Sequence, residues 1–336
     1  MDAVIIADRF REPDRFTSLR RNKLVDHLVK PRTLLRWKDK TVRNYRKPQI
    51  CIKRCFCVAF LITVAGTVAA PCQAQTSRFA AAYYNRGNER YKQGDFDGAI
   101  EDYDAALTFD PHWAIAYNMR GTARYGKGDL DGSIADYTRA IELNPRLAVA
   151  HYNRGKARRD KGDLNGSIAD YTRAIELNPR LSAAYNNRGN IRREMGHLDA
   201  ALADLNQAIR LEARNAAFYN NRGLVRRERG DLEGAITDYN KALEINPQFP
   251  DAYSNRGNAR QDKGDTDGSI ADYDSAIKIA PSFAKAYGNR GLAYLLKGDM
   301  VRAQKDFDQC LTLDPTLKPS LQEQINRAKQ KIATGH

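Results

Sequence analysis

The chain has 336 residues, of which 42% are hydrophobic and 29% charged, with 12 prolines. That length suits two conventional domains or one extended array, and the composition favours a helix-rich folded protein over a disordered one. The net charge of +14 is concentrated at the start, because residues 1–54 hold 16 basic and 6 acidic side chains while the remainder holds 39 and 35. The folded part therefore lacks the basic excess typical of nucleic-acid binding.

Residues 1–49 form a basic leader that precedes any recognisable motif. Secretory signals do not normally carry so long a preface. Two interpretations stay open: a disordered basic tail, or a mis-assigned start with translation beginning later, for instance at Val42.

Residues 50–74 predict a signal peptide or a signal anchor. The basic pair Lys53–Arg54 precedes an apolar run, Cys55–Ala70, and the small residue Ala74 lies shortly after it. This run is shorter than the roughly 20 residues that usually span a bilayer, so cleavage after Ala74 is expected. An uncleaved anchor would keep its basic side in the cytoplasm. In both cases the repeats reach the periplasmic side of the cell envelope, either secreted or anchored in the inner membrane.

The cysteines follow the same division of the chain. Four of the five lie in or beside the leader: Cys51, Cys55, Cys57 and Cys72. Zinc sites need four converging ligands, and no second ligand cluster accompanies these cysteines. No metal site and no cofactor are predicted.

A period of 34 residues dominates the chain after residue 79. Two glycines, seven residues apart, recur in each of seven units. The first of them is Gly87, Gly121, Gly155, Gly189, Gly223, Gly257 or Gly291. A small residue, an aromatic residue and a proline near the end complete each unit, except that the fourth has Leu205 for the aromatic residue and Ala213 for the proline.

Each unit is predicted to fold as two helices. In the second unit Ala114–Lys127 forms the first helix and Leu130–Leu143 the second. Gly128 lies in the turn between them, and Pro145 breaks the chain before the next helix. Because one helical hairpin cannot bury its apolar face alone, the units are expected to stack.

The order of aromatic, glycine, small, aromatic, alanine and proline residues resembles the tetratricopeptide repeat, or TPR. The resemblance covers residues 80–317, and it departs from the family where each unit has Arg instead of Leu before its first glycine. It implies an all-α, right-handed superhelical solenoid of seven helix-turn-helix repeats with a C-terminal capping helix. The repeats are 80–113, 114–147, 148–181, 182–215, 216–249, 250–283 and 284–317. Residues 318–336 form the capping helix and tail, with an apolar stripe of Leu321, Ile325, Ala328 and Ile332 at helical spacing.

Charged residues recur with the same period. An arginine precedes the first glycine of every unit. In six units another arginine follows the first arginine by four residues, and the second helix of every unit carries an aspartate. The aspartates are Asp102, Asp136, Asp170, Asp204, Asp238, Asp272 and Asp306. Either these charges form an Arg–Asp ladder between packed helices, or the arginines form an anion-binding stripe. The ladder is favoured, because binding rarely requires one charge pair in every repeat.

In the TPR family the first helices line a concave groove in which partner peptides lie. The resemblance therefore implies a peptide-binding site at first-helix positions that carry polar and aromatic residues. The predicted residues are Asn85, Tyr91, Tyr125, Asn153, Lys156, Arg159, Asn187, Asn190, Arg193, Asn221, Arg227, Asn255, Asn258 and Asn289. An asparagine series of this kind can form hydrogen bonds with an extended peptide backbone. The alternative is that these are solvated polar residues.

The three histidines of the repeats, His112, His151 and His197, belong to different units, so the chain is not predicted to be an enzyme. The leading hypothesis is an exported scaffold that binds a protein or extended peptide of unknown identity in its groove. The alternative is a membrane-anchored adaptor subunit of an envelope complex, with membrane contact only through residues 55–70. An enzyme with an unrecognised site ranks third, and nucleic-acid binding is not expected.

Overall fold

The computed structural model describes residues 69–334, with side chains from residue 75 onwards, and its compact repeat array begins at Ala82. Residues 69–334 form fifteen α-helices and one short 3-10 turn, and no strand lies among them. The all-α prediction is confirmed. The predicted leader, 1–49, and most of the predicted signal segment, 50–74, lie outside the described residues. Within the described part, no helix combines the length and the apolar character needed to cross a bilayer.

Seven pairs of helices follow one another along the chain. The first helices are α1 (Ala69–Lys92), α3 (Ala114–Lys127), α5 (Ala148–Asp160), α7 (Ser182–Glu194), α9 (Ala216–Glu228), α11 (Pro250–Asp262) and α13 (Ala284–Leu296). The second helices are α2 (Phe96–Phe109), α4 (Leu130–Leu143), α6 (Leu164–Leu177), α8 (Leu198–Leu211), α10 (Leu232–Ile245), α12 (Thr266–Ile279) and α14 (Met300–Leu313). A 3-10 turn, Pro315–Leu317, precedes α15 (Lys318–Thr334). The bounds predicted for the second unit match α3 and α4.

The turn inside each unit is set by two residues. Gly128 ends α3 with a φ of 88°, a left-handed conformation that favours glycine. Asp129 then caps α4, because its carboxylate accepts a 2.9 Å hydrogen bond from the Gly132 N–H. An aspartate caps the second helix in the same way in six of the seven units. The exception is α8, where His197 makes no side-chain cap.

The two helices of a unit approach most closely at the first glycine. A Cβ at Gly121 would lie 2.9 Å from the Tyr137 ring, so a larger residue does not fit without movement. Tyr137 is only 1% exposed, and equivalent tyrosines fill this space in four other units. In the fourth unit Leu205 faces Gly189 instead, and is also fully buried.

The stacking of units makes the first helices the inner layer. In units two to seven the second helix packs against the first helix of its own unit, and in units one to six it packs against the first helix of the next. Neighbouring first helices also contact one another directly, as α9 does with α7 and α11, and no pair of second helices in the described part does so to the same extent. Because a stack curves towards the side where its helices lie closer, the first helices line the concave side of the superhelical solenoid.

The helix α15 closes the C-terminal end of the array. Leu321 and Ala328 are buried in one cluster with Leu295 and Phe307, as a capping helix requires. The last member of the apolar stripe, Ile332, lies outside this cluster and is 50% exposed. The buried cluster ends at Ala328, one turn earlier.

Candidate peptide-binding groove

The recurring aspartates form a buried ladder with the recurring arginines. In the third unit the Asp170 carboxylate, on α6, accepts hydrogen bonds from Arg154 Nε at 3.0 Å and Nη2 at 2.7 Å. Arg158 Nη1 lies 2.8 Å from the same carboxylate. All seven aspartates are at most 4% exposed. The carboxylates and arginines thus pair as the ladder hypothesis requires.

Each aspartate pairs inside its own unit. The arginines of α5 reach Asp170 on α6, which places the ladder between the two helices of one unit. The recurrence of the charges in the sequence left open whether the arginines come from the same unit or from the next one, and the structure assigns them to the same unit. The first-to-second-helix spacing explains this, because the small residues at the close approach bring the guanidinium beside the carboxylate of the same pair.

From the second unit onwards, the arginine before the first glycine also ties its unit to the preceding one. Arg154 Nη1 donates to Thr138 Oγ1 at 3.1 Å, and Arg222 Nη1 donates to Asn206 Oδ1 at 2.8 Å. The same nitrogen contacts an equivalent polar residue at the other junctions. Those residues are Asp104, Thr172, Asn240 and Asp274. The planar guanidinium therefore joins three helices.

The predicted asparagine series bridges neighbouring first helices. Asn221 Nδ2 donates to Asn186 Oδ1 at 2.8 Å, and Asn255 Nδ2 donates to Asn220 Oδ1 at 2.9 Å. The other series members beyond the first unit also donate hydrogen bonds across their junctions. These bonds run from Asn153 to Asn118, from Asn187 to the Tyr152 hydroxyl, and from Asn289 to Ser254 and Asn258. Asn85 lies in the first unit and is exposed. These amides are half-buried and held in place, and each amide can form more hydrogen bonds than the one that its junction uses.

The predicted aromatic residues gather at the N-terminal end of the groove. Tyr91 packs against Phe96, with ring centroids 5.6 Å apart. The Tyr125 hydroxyl donates to Asp160 of the next unit. The Lys156 ammonium lies 5.5 Å from the centre of the Tyr125 ring and 5.9 Å from that of Tyr152, which is a cation–π geometry.

The three predicted groove arginines are all paired with carboxylates. Arg193 binds Glu228 of the following unit, and Arg227 Nε donates to Asp262 of the following unit at 2.6 Å. Arg159 instead donates to Asp160, its neighbour on α5, at 2.8 and 3.0 Å. The groove therefore carries both signs of charge, already compensated within the array.

The core tyrosines reach the groove with their hydroxyls. Tyr273 Oη donates to Asn258 Oδ1 at 2.7 Å, and Asn289 Nδ2 donates to the same oxygen at 3.0 Å. In the fourth unit Leu205 has no hydroxyl to offer Asn190, which is half-buried. In the fifth unit the Tyr239 hydroxyl is buried without a hydrogen-bond partner among the described residues, and burial raises the pKa of that phenol. Asn258 is thus part of the packing, whereas Asn190 keeps more capacity for a ligand.

The histidines of the array do not share a site. His112 and His197 are exposed in different units. His151 is buried where most units have a tyrosine, and its Nε2 lies 3.2 Å from the Pro145 carbonyl oxygen, matching the 3.2 Å bond of the Tyr287 hydroxyl to Pro281. Its role is that of the tyrosine that it replaces. Among the described residues, no group of three or more His, Cys, Asp and Glu side chains is placed to hold a metal ion.

Sequence reasoning missed the residues that receive the asparagine series. They directly precede the series position in their own unit, and each accepts a hydrogen bond from the series asparagine of the following unit. These residues are Asn118, Asn186, Asn220 and Ser254. Their polar character at one position of a 34-residue period was visible in the sequence. What the period does not reveal is that the two positions meet across a junction.

Seven stacked helix pairs with an inner layer of polar first helices define a helical-repeat protein-interaction scaffold. A family model described as TPR repeat matches residues 121–158, 155–192, 189–228, 223–264 and 257–298. A second, described as Tetratricopeptide repeat, matches 80–112 and 284–317. The chain belongs to the tetratricopeptide repeat family.

Solved structures share this fold at low sequence identity. A tetratricopeptide repeat protein from Parabacteroides merdae is 18% identical, with a TM-score of 0.61 over 75% of this chain and 99% of its own. A chain of the APC/C hetero-tetramer Cut9–Hcn1 is 17% identical, with a TM-score of 0.61 over 76% of this chain and 52% of its own. The PilF protein of Pseudomonas aeruginosa is 19% identical, with a TM-score of 0.53 over 60% of this chain and 92% of its own. At these identities the likeness concerns the fold alone, and no curated protein matches the chain.

Proposed function

We propose that this protein is an exported, non-enzymatic scaffold that binds a protein or an extended peptide in the concave groove of its first helices. The observation that supports this most directly is the row of half-buried amides along the groove, from Asn153 to Asn289, which are held in place across the junctions. Amides fixed in this way bind a backbone without the entropy loss of ordering them.

The charges of the groove favour a ligand recognised mainly by its backbone. Arg193 and Arg227 are each paired with a carboxylate of the next unit, so the groove offers neither a free cationic row nor a free anionic one at these positions. A strongly charged ligand would have to break these pairs. An extended segment of mixed composition fits this surface better.

The groove is tested by photo-crosslinking from two positions on neighbouring helices of the fourth unit. A photoreactive residue at Asn190, on α7, is expected to capture the partner from an envelope extract, and one at exposed Ala203, on α8, is not. Capture from Ala203 with none from Asn190 would place the binding surface on the convex side and contradict the proposal.

Substitution of two groove amides separates binding from folding. Asn190→Ala is expected to weaken binding of the captured partner about three- to tenfold, the effect of one hydrogen bond, with little change in melting temperature. Asn258→Ala is the comparison, because it removes the acceptor of both Tyr273 and Asn289, and it is expected to lower the melting temperature. Unchanged binding by the Asn190 variant would remove this residue from the site.

Export rests on the sequence of residues 50–74 and is tested separately. Mass spectrometry of the protein from its native host is expected to find a chain that starts near Gln75. A chain that retains Cys55–Ala70 in the membrane fraction would favour the second candidate, an anchored adaptor subunit of an envelope complex.

A further inference from the structure

The junction between the third and fourth units lacks a tie that the other five junctions share. At each of those five, a basic residue at the end of a first helix binds an acidic residue in the first turn of the preceding second helix. The pairs are Lys127–Asp97, Lys161–Asp131, Arg229–Asp199, Lys263–Glu233 and Lys297–Asp267. At the third-to-fourth junction these positions hold Met195 and Asn165, which cannot form an ion pair.

On the groove side, the same junction lacks the polar contact that three other junctions make between the ends of successive first helices. Arg193 and Arg227 each bind a carboxylate of the following unit, and Tyr125 donates to Asp160 in the same register. Arg159 turns instead to Asp160 on its own helix, leaving Glu194, its counterpart across the junction, exposed. The direct contact between α5 and α7 is correspondingly less extensive than that between α7 and α9.

The centre of the junction remains packed. Tyr152, Ile175 and Ile191 belong to one buried apolar cluster that spans the two units. Arg188 Nη1 still donates to Thr172 Oγ1 at 2.9 Å. An apolar contact is non-directional, so it resists separation of the units more than rotation between them, whereas ties at the two edges resist rotation. The groove edge keeps the 3.1 Å hydrogen bond from Asn187 Nδ2 to the Tyr152 hydroxyl, but it lacks the charged contact of the fourth-to-fifth and fifth-to-sixth junctions. A junction whose centre is packed and whose edges are less tied than those of its neighbours is suited to act as a hinge.

We propose that the solenoid consists of two stiffer segments, units one to three and units four to seven, which pivot at this junction and change the width of the groove. The pivot is a property of the chain alone, so its test does not depend on the proposed binding function. Asn190 and Arg193, on the first helix after the pivot, would move relative to Lys156 and Arg159 on the helix before it.

The pivot is tested in the full chain by distance measurements between nitroxide labels introduced as non-canonical amino acids, which leaves the native cysteines in place. Labels at exposed Ala135 and Ala203 span the second-to-third and third-to-fourth junctions. Labels at exposed Ala203 and Ala271 also span two junctions, neither of which is the pivot. We expect the distance distribution of the first pair to be about twofold broader than that of the second, because the first pair spans the third-to-fourth junction, which lacks the ion pair. Equal widths would overturn the proposal.

Two matched variants test the cause. Asn165→Asp combined with Met195→Lys installs the ion pair of the neighbouring junctions at exposed positions, and it is expected to narrow the first distribution to the width of the second. Lys263→Met combined with Glu233→Asn removes the pair from the fifth-to-sixth junction, and it is expected to broaden the second distribution. If the first double variant leaves its distribution unchanged, the missing tie is not the cause and the proposal fails.

Discussion

Each ladder aspartate is a buried carboxylate whose charge is compensated by guanidinium groups of the same helix pair. Asp170 is 3% exposed as a residue, while the side chains of Arg154 and Arg158 are 14% and 27% exposed. Replacing a buried ion pair with apolar groups is often tolerated, whereas removing one partner leaves a charge without compensation. The ladder therefore mainly determines which helices pair and in which register. Removing one of its carboxylates is expected to lower the free energy of unfolding substantially.

Asp170→Asn is expected to lower the free energy of unfolding by about 3 kcal/mol, because two arginines lose their counter-charge in a largely buried place. Asp131→Asn is the matched control. Asp131 pairs with Lys161 at the surface with its side chain 79% exposed, and an exposed pair contributes about 0–1 kcal/mol. Denaturant titration of the two variants measures the difference. Equal losses would contradict the role of burial.

The stability of the array is expected to depend on this carboxylate in acid. Burial by itself would raise the pKa of Asp170, but its contacts with His151, Arg154 and Arg158 outweigh burial and hold that pKa below the ordinary value of 3.8. A carboxyl with a lowered folded pKa stabilises the folded state above its unfolded pKa, and this contribution is lost as the pH falls through the folded pKa. Below about pH 4 the free energy of unfolding should therefore fall more steeply for the native chain than for Asp170→Asn. Parallel pH profiles of the two proteins would show that Asp170 is not responsible.

At the scale of helices, the distance between the two members of a pair is set by the first glycine and the residue that faces it. A Cβ at Gly121 would meet the Tyr137 ring at 2.9 Å, and Tyr137 is buried on all sides. A Cβ at Gly189 would meet Leu205 Cγ at 3.1 Å, a looser contact. The fourth unit therefore leaves slightly more room for a side chain at this glycine.

Gly121→Ala is expected to destabilise the array by about 1–3 kcal/mol, because overpacking exceeds the roughly 1 kcal/mol that alanine contributes to a helix over glycine. Gly189→Ala is expected to cost clearly less, since a leucine side chain adjusts more easily than a buried tyrosine ring. Thermal unfolding of both variants measures the contrast. A larger loss for Gly189→Ala would refute the argument from packing.

At the scale of the whole molecule, the units stabilise one another through shared interfaces, and the fourth is the least secured. Its second helix, α8, starts without the aspartate cap of the others, which is worth about 1 kcal/mol in helices generally. Ala213 stands in place of the proline after it. Asn215 compensates in part, because its side chain accepts a 3.2 Å hydrogen bond from the Ala217 N–H and caps α9.

Hydrogen exchange should therefore show less protection over residues 200–216 than over 132–147. The array is a coupled stack, so the difference is expected to appear as local opening within a cooperative global transition. Mass spectrometry of exchanged peptides resolves the two ranges. Uniform protection across both would mean that neighbouring units compensate fully for the missing cap, and would contradict the prediction.

The sequence by itself determined the number of units and the bounds of α3 and α4. These follow from a period of 34 residues and from glycine, proline and capping signals, which act over a few neighbouring residues. It also predicted that arginines and aspartates would pair, since charges that recur in every unit indicate a structural role.

Only the tertiary structure decided which groups meet. It placed the ladder inside each unit, assigned the asparagine series to hydrogen bonds across the junctions, and left Ile332 exposed at the end of the capping helix. A repeat places equivalent residues on equivalent faces, but the partner of a side chain depends on the rotation and distance between helices, which the packing of many residues sets together. The tertiary structure also located the weakly tied junction, at Asn165 and Met195, because an ion pair between residues 30 positions apart exists only once two units are stacked.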